Sequence, residues 1–199
     1  MDASGWDDRY AATELVWGGG PNQFVEAELA DLPPGRAVDL AAGEGRNAIW
    51  LARQGWDVVA VDFSQVALDK GRRLAGPAAI EWVCADVTTW QGADQDLVVV
   101  AYLQVPADDR QRALRNAFSA LAANGTLFVV AHDSTNLTEG TGGPQDPSVL
   151  YTAEDVLADL ADEDVEVLRA ERVARVVPAP DGHGPEGTAW DALVRLRRP

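Results

Sequence analysis

The sequence predicts an αβα sandwich: a seven-stranded, mostly parallel sheet with helices on both faces and an antiparallel hairpin at its C-terminal end. Three observations lead there. Short β-rich apolar runs bounded by Gly, Pro or Asp alternate with longer segments of helical period, the pattern of successive β-α-β units. The last two runs are joined by the loop "PAPDGHGPEG", too short for a crossover helix, so they pair antiparallel. A length of 199 residues suffices for one core and not for two. A single domain over 1–199 is therefore expected, with 1–35 as an appended lid and 36–199 as the body.

The strands are expected at Arg36–Leu40, Asp57–Val61, Ala79–Cys84, Gln95–Ala101, Gly125–Ala131, Val165–Val176 and Thr188–Arg197, and the helices near Gly45–Gln54, Gln65–Ala75, Asp108–Ala122 and Thr152–Asp162. In the third of these helices Ala113, Leu114, Ala117, Phe118 and Leu121 form one apolar stripe. Asp108 is its expected cap, and "AANG" ends it with Gly125 available for a left-handed turn. Residues 1–35 carry two short helical patterns broken by three glycines. The stretch "STNLTEGTGGPQDPSVLYT" has no periodicity; loops of that length are commonly lids or binding segments, with Thr152 capping the helix that follows.

Composition narrows the function. Sixteen basic residues against 32 acidic ones give a net charge of −16, which repels phosphate backbones and anionic lipid, so nucleic acid and membranes are not expected partners and a cationic small molecule is favoured. The apolar runs are far shorter than a membrane span requires, and "MDASGWDDRY" lacks the features of an export signal, so the cytoplasm is expected. Cys84 is the single cysteine and sits in an apolar stretch, which reads as a packed core thiol. The two histidines are 51 residues apart without metal-ligand spacing, so no metal is expected.

The chemistry lies in "VDLAAGEGRNA". Gly43, Gly45 and Ala48 give G-x-G-x-x-A between a strand and a helix, a weak signal shared by several adenosine-binding folds. Asp39 turns it away from a dinucleotide, because an acid four residues before Gly43 would repel a diphosphate; it can instead accept a hydrogen bond from a cationic amino group or order a water. Asp62 ends the next strand, where a carboxylate takes both hydroxyls of a ribose. Asp86 ends the third, where it can accept from an adenine amino group while the Val87 amide faces a ring nitrogen and Phe63 covers the base. A ligand with an ammonium and a sulfonium suits three acids better than one with two phosphates, which points to S-adenosylmethionine.

With "VDLAAGEGRNA", "AVDFS", "CADV" and "VVVAYLQVP" in order, the chain resembles the class I S-adenosylmethionine-dependent methyltransferases, whose fold is Rossmann-like, over about three quarters of its length. "WDDRYAATELVWGGGPNQFV" followed by "GEGRNAIWLA" is similar to the tellurite-resistance and thiopurine methyltransferase-like branch. By that resemblance Gly43 and Gly45 face the methionine part, Asp62 holds the ribose, Asp86 and Val87 read adenine, and Tyr102 and Leu103 line the cofactor beside the methyl group. Ala41 and Asn47 complete the turn. A lid tryptophan would be Trp17, with Trp6 and Tyr10 beside it. Arg46 either binds the methionine carboxylate or points toward the acceptor.

For the acceptor side, His132 in "VVAHDS" is the candidate general base, or else a structural histidine bonded to the neighbouring loop. Asp133 either orients that ring or begins the turn, and the turn is favoured because adjacent strand residues point apart. Arg175 and Arg172 match by position the basic residues of the tellurite-resistance relatives, against the alternative of plain ion pairs; His183 carries little weight. The function implied is methyl transfer to a small-molecule acceptor (a thiol, hydroxyl, amine or chalcogen oxyanion), with S-adenosylhomocysteine as product and the protein a monomer or homodimer. The alternative is a cofactor-binding protein that transfers no methyl group. A nicotinamide-dependent reductase is disfavoured by Asp39 and by the absence of a Tyr-x-x-x-Lys pair, Lys70 being the only lysine.

Overall fold

The computed structural model describes residues 3–16, 19–178 and 186–199, so Trp17 and His183 lie outside the described residues. Seven strands form one sheet: β1 (Arg36–Leu40), β2 (Asp57–Asp62), β3 (Ile80–Cys84), β4 (Gln95–Ala101), β5 (Leu121–His132), β6 (Glu166–Val177) and β7 (Gly187–Arg197). Their order is β3-β2-β1-β4-β5-β7-β6. The first five run parallel, and β7 inserts antiparallel between β5 and β6, as expected for strands joined without a crossover helix.

The helices are α1 (Ala3–Ala11), α2 (Gln23–Leu29), α3 (Arg46–Arg53), α4 (Gln65–Ala75), α5 (Ala107–Ser119), α6 (Asn136–Glu139) and α7 (Ala153–Asp159). Among the described residues none is long and apolar enough to cross a membrane. The central strands are apolar on both faces because both are covered. In β4, Val98 and Val100 pack with Leu114 and Phe118 of α5, while Leu97 and Val99 pack with Leu51 of α3 and Val25 of α2.

Several boundaries depart from the sequence reading. The N-cap of α5 is Pro106, whose side chain accepts nothing; Asp108 and Asp109 lie in the first turn, where they face the positive end of the helix dipole. The helix stops at Ser119, and β5 begins at once, pairing Leu121 with Gln95 before a register shift to Thr126 opposite Leu97. The left-handed residue is Asn124 (φ 64°), not Gly125. Gly125 is small for another reason, since a Cβ there would lie 2.7 Å from the carbonyl oxygen of Gln95. Cys84 is exposed rather than packed, because β3 is an edge strand. The long loop after β5 contains α6 and a 3-10 turn at Pro147–Val149, and Thr152 does cap α7, in a reciprocal pair with Asp155.

The strand order places the site. The chain winds outward from β1 through β2 and β3, then returns to start again at β4 beside β1. Loops leaving β1 and β4 therefore diverge and open a crevice at their carboxyl ends, where open parallel sheets bind ligands.

Candidate active site

The turn from β1 to α3 is held by its neighbours. Ala41, Gly43 and Gly45 all take left-handed backbone (φ 57°, 56° and 76°). A Cβ on Gly45 would lie 2.4 Å from the ring of Trp82 of β3, so that position admits hydrogen only. Gly45 is also the N-cap of α3 and offers no side chain. Asp39 supplies the cap from inside β1, its Oδ2 accepting from the Ala48 amide at 3.0 Å. The other oxygen, Oδ1, is buried and has no hydrogen-bond partner among the described residues. Burial pushes Asp39 up to about 7, against the lowering effects of that hydrogen bond and of Arg46. Asn47 accepts from the Asn22 amide at 2.9 Å and so docks the N-terminus of α2 on the same turn.

At the tip of β2, Asp62 is 3% exposed and accepts from the amides of Gly43 and Ser64, both at 2.8 Å. Its carboxylate thus joins the tips of β1 and β2. Burial raises its pKa, and Asp7 of α1 adds to the rise. Asp7 lies over this corner, accepting from the Ser64 hydroxyl. The N-terminal segment is fastened a second time at Glu44, which accepts from the Val16 amide at 2.9 Å and pairs with Lys70 at 3.2 Å. Tyr10 of α1 is buried. Beyond β3, Asp86 is exposed and accepts from the amide and hydroxyl of Thr88, while Val87 is buried and its carbonyl accepts from Asn116. Phe63 is half-buried, its carbonyl facing the Cys84 thiol.

Across the crevice the tips of β4, β5, β6 and β7 assemble a polar cluster. Tyr102 follows β4 with φ 59°, a conformation that costs a side-chain-bearing residue on the order of 1 kcal/mol. Its hydroxyl donates to Asp191 Oδ2 at 2.8 Å, and Arg175 Nε donates to the same oxygen at 2.7 Å. His132 Nδ1 lies 3.2 Å from Asp191 Oδ1, and the His132 and Tyr102 rings stand 4.8 Å apart. Asp191 is wholly buried; burial alone would raise its pKa, but the donors from His132, Arg175 and Tyr102 keep it below the usual carboxylate range. The Tyr102 hydroxyl is pushed up by burial and then by Asp191. Burial lowers the pKa of Arg46, the first residue of α3, while Tyr102 and Asp39 act to raise it and Arg175 to lower it.

The loop after β5 closes the far side. The Gln104 side chain accepts from the His132 amide at 2.9 Å, Tyr151 donates to the Leu103 carbonyl at 3.1 Å, and Leu103 is buried. Asp133 begins the turn, accepting from the amide and hydroxyl of Thr135, and does not orient His132. Arg172 is drawn away to Glu139 and the face of Trp190. A cavity of about 340 Å³ borders the glycine turn on its outer side, lined by Leu15, Pro21, Glu44, Arg46, Ile49 and Trp50 among others.

The structure thus brings together Asp39, Ala41, Gly43, Gly45, Arg46, Asn47 and Asp62 on one side and Tyr102, Leu103, His132 and Arg175 on the other, with Asp86 and Val87 at the rim. The sequence reading missed Asp191 and Asp7. Asp191 had a usable signal, a single acid inside the apolar run "AWDALV", which a strand buried on both faces does not carry without partners.

Comparison with known proteins agrees with this architecture. A family model described as a methyltransferase domain matches residues 37–125. A demethylmenaquinone methyltransferase from Clavibacter sepedonicus is 52% identical over 97 residues, which are 47% of this chain and 40% of that protein. Thiocyanate methyltransferase 1 of Brassica oleracea is 26% identical over 167 residues, 79% of this chain and 73% of that protein. In fold the chain is similar to TehB from Haemophilus influenzae (TM-score 0.74, 17% identity, 98% of this chain and 67% of that one). It is equally similar to the N-methyltransferase NodS from Bradyrhizobium japonicum, solved with S-adenosyl-L-homocysteine (TM-score 0.74, 19% identity, 100% of both chains). A methyltransferase-domain model over residues 37–125 and relatives named as methyltransferases support a class I S-adenosylmethionine-dependent methyltransferase. The likeness in sequence to thiocyanate methyltransferase 1 and in fold to TehB supports a relation to the tellurite and thiocyanate branch.

Proposed function

We propose that the chain transfers a methyl group from S-adenosylmethionine to a small protic acceptor, a thiol, hydroxyl or chalcogen oxyacid, with residues 1–35 as the lid over a body formed by 36–199. The residues present fit that cofactor. A turn of three left-handed residues lets a ligand approach backbone, and the free Oδ1 of Asp39 requires a donor, which an ammonium or its bound water provides. Asp62 retains lone pairs for ribose hydroxyls beyond the Gly43 and Ser64 amides that its two oxygens accept. Gly43, Gly45, Asp39, Ala41 and Asn47 would hold the methionine part, Asp62 the ribose, Asp86, Val87 and Phe63 the adenine, and Leu103 the region next to the methyl group. When bound, the cofactor supplies a methyl group on a positive sulfonium, whose carbon–sulfur bond breaks as the acceptor's lone pair bonds to carbon.

The observation that carries the reading is the buried cluster of Tyr102, Arg175, His132 and Asp191 at the tips of β4 to β7, across the crevice from the cofactor turn. The Arg175 guanidinium in that cluster disfavours an ammonium acceptor and favours one that becomes an anion as it reacts. Alignment and exclusion of water by the lid supply much of the acceleration such a displacement needs.

The test is isothermal titration with S-adenosylhomocysteine. Micromolar binding is expected for the wild type and none for Asp62→Ala, which also frees the Gly43 and Ser64 amides. No heat with the folded wild type defeats the proposal. Binding with no S-adenosylhomocysteine formed from S-adenosylmethionine across thiols, phenols and chalcogen oxyanions leaves a binding protein and defeats the transfer.

A further inference from the structure

Asp191 divides its two oxygens unequally. Oδ2 receives both the Tyr102 hydroxyl and Arg175 Nε, which fill its lone pairs. Oδ1 is buried and has His132 Nδ1, likewise buried, at 3.2 Å; neither atom makes a hydrogen bond among the described residues as the structure stands. Two orphaned polar atoms that face each other at this distance are both satisfied only by a proton between them. The Nδ1 edge is sealed, so the 15% of the His132 side chain that stays accessible belongs to other atoms of the ring. The ring is gripped on its faces as well, by the Tyr102 ring at 4.8 Å and by Gly143, where a Cβ would lie 3.1 Å from the imidazole.

We propose that Asp191 is a positioning residue: it holds His132 as the Nδ1–H tautomer, leaving Nε2 bare to take the proton from an S–H or O–H acceptor. The base role rests on the methyl-transfer reading above; the tautomer does not. The proton leaves the acceptor's sulfur or oxygen for Nε2, and the electron pair it leaves behind forms the new bond to carbon. Titratable groups meet the ring from both neighbouring strands, Tyr102 after β4 and Asp191 on β7, and Arg175 on β6 reaches the far oxygen of Asp191. The arrangement follows the logic of a catalytic carboxylate–imidazole pair, in which the acid fixes tautomer and orientation without itself taking the proton.

Asp191→Asn makes a sharp test, because its amide oxygen would remain with Tyr102 and Arg175 and its NH2 group would then face Nδ1, forcing that nitrogen to accept. In the 199-residue chain carrying His183→Asn, His132 is the one remaining histidine, and long-range proton–nitrogen correlation reads its tautomer directly. At mildly alkaline pH the expected wild-type result is a protonated Nδ1 and a bare Nε2, inverted in Asp191→Asn. A wild-type Nε2–H tautomer overturns the proposal whether or not the variant folds. With 2-mercaptoethanol as the probe acceptor, kcat should fall about 100-fold in Asp191→Asn, with little change in KM and with the acid limb of the pH profile moved to lower pH. Unchanged kcat with the tautomer inverted also overturns it. Failure of the wild type to bind S-adenosylhomocysteine would sink the methyl-transfer reading and leave the tautomer standing.

Discussion

Asp39 connects pH, stability and ligand binding in one carboxyl group. It is 1% exposed, and burial raises its pKa from 3.8 to about 7, with the Ala48 amide and Arg46 pulling the other way. The folded state therefore binds its proton more tightly than the unfolded chain. Its contribution to stability is complete below pH 4 and is lost as pH rises toward 7. Between pH 5 and pH 8 this linkage removes on the order of 2 to 3 kcal/mol, at about 1.4 kcal/mol per pKa unit. Asp39→Asn keeps an acceptor for the Ala48 amide and cannot ionise. Other titrating groups are common to both proteins, so the stability difference between variant and wild type should shift in the variant's favour by that amount from pH 5 to pH 8. Urea denaturation at the two pH values measures it. A difference independent of pH would mean that Asp39 ionises normally in the folded protein, and the argument from its buried, unpaired oxygen would fail. The variant should also bind S-adenosylhomocysteine more weakly at both pH values.

Two further outcomes follow from packing and from a buried ion pair. Gly45→Ala places a methyl group 2.4 Å from the Trp82 ring at φ 76°, so thermal unfolding should show a loss of about 1 to 3 kcal/mol, with cofactor binding abolished at temperatures where the protein stays folded; ordinary binding would show that the turn has slack. Arg110 and Asp159 are nearly buried and pair at 2.6 Å, with the guanidinium over the Tyr151 ring. Arg110→Met should therefore cost about 3 to 5 kcal/mol in chemical denaturation, and adding Asp159→Leu should restore most of it; an unrescued double variant would assign the loss to packing against Tyr151.

The strands were legible because their apolar runs have the lengths and borders that paired strands need, and β1 and β4 match residue for residue. Asp39 was legible as a departure from a diphosphate-binding turn, and Asp62 as a strand-end acid suited to a ribose. The end of α5 was not. "ALAANG" continues the helical stripe on paper, yet the same residues satisfy more backbone groups by pairing beside Gln95, and only the sheet offers that partner. Cys84 was misjudged for a related reason: its apolar neighbours mark a strand, while the place of that strand at the edge of the sheet decides exposure.

Local pattern alone determined that this chain alternates strands and helices, turns on glycine after its first strand and ends in a hairpin, because periodicity, backbone freedom and connection length act between near neighbours. Tertiary structure alone decided that Asp191 meets Tyr102, Arg175 and His132, residues 89, 16 and 59 positions away, at one strand edge. It also decided that Asp62 accepts from the Gly43 and Ser64 amides, and that one oxygen of Asp39 is left without a donor among the described residues. Those outcomes depend on which strands lie side by side and on how much water the packed elements exclude. Neither quantity is a property of any short stretch of sequence.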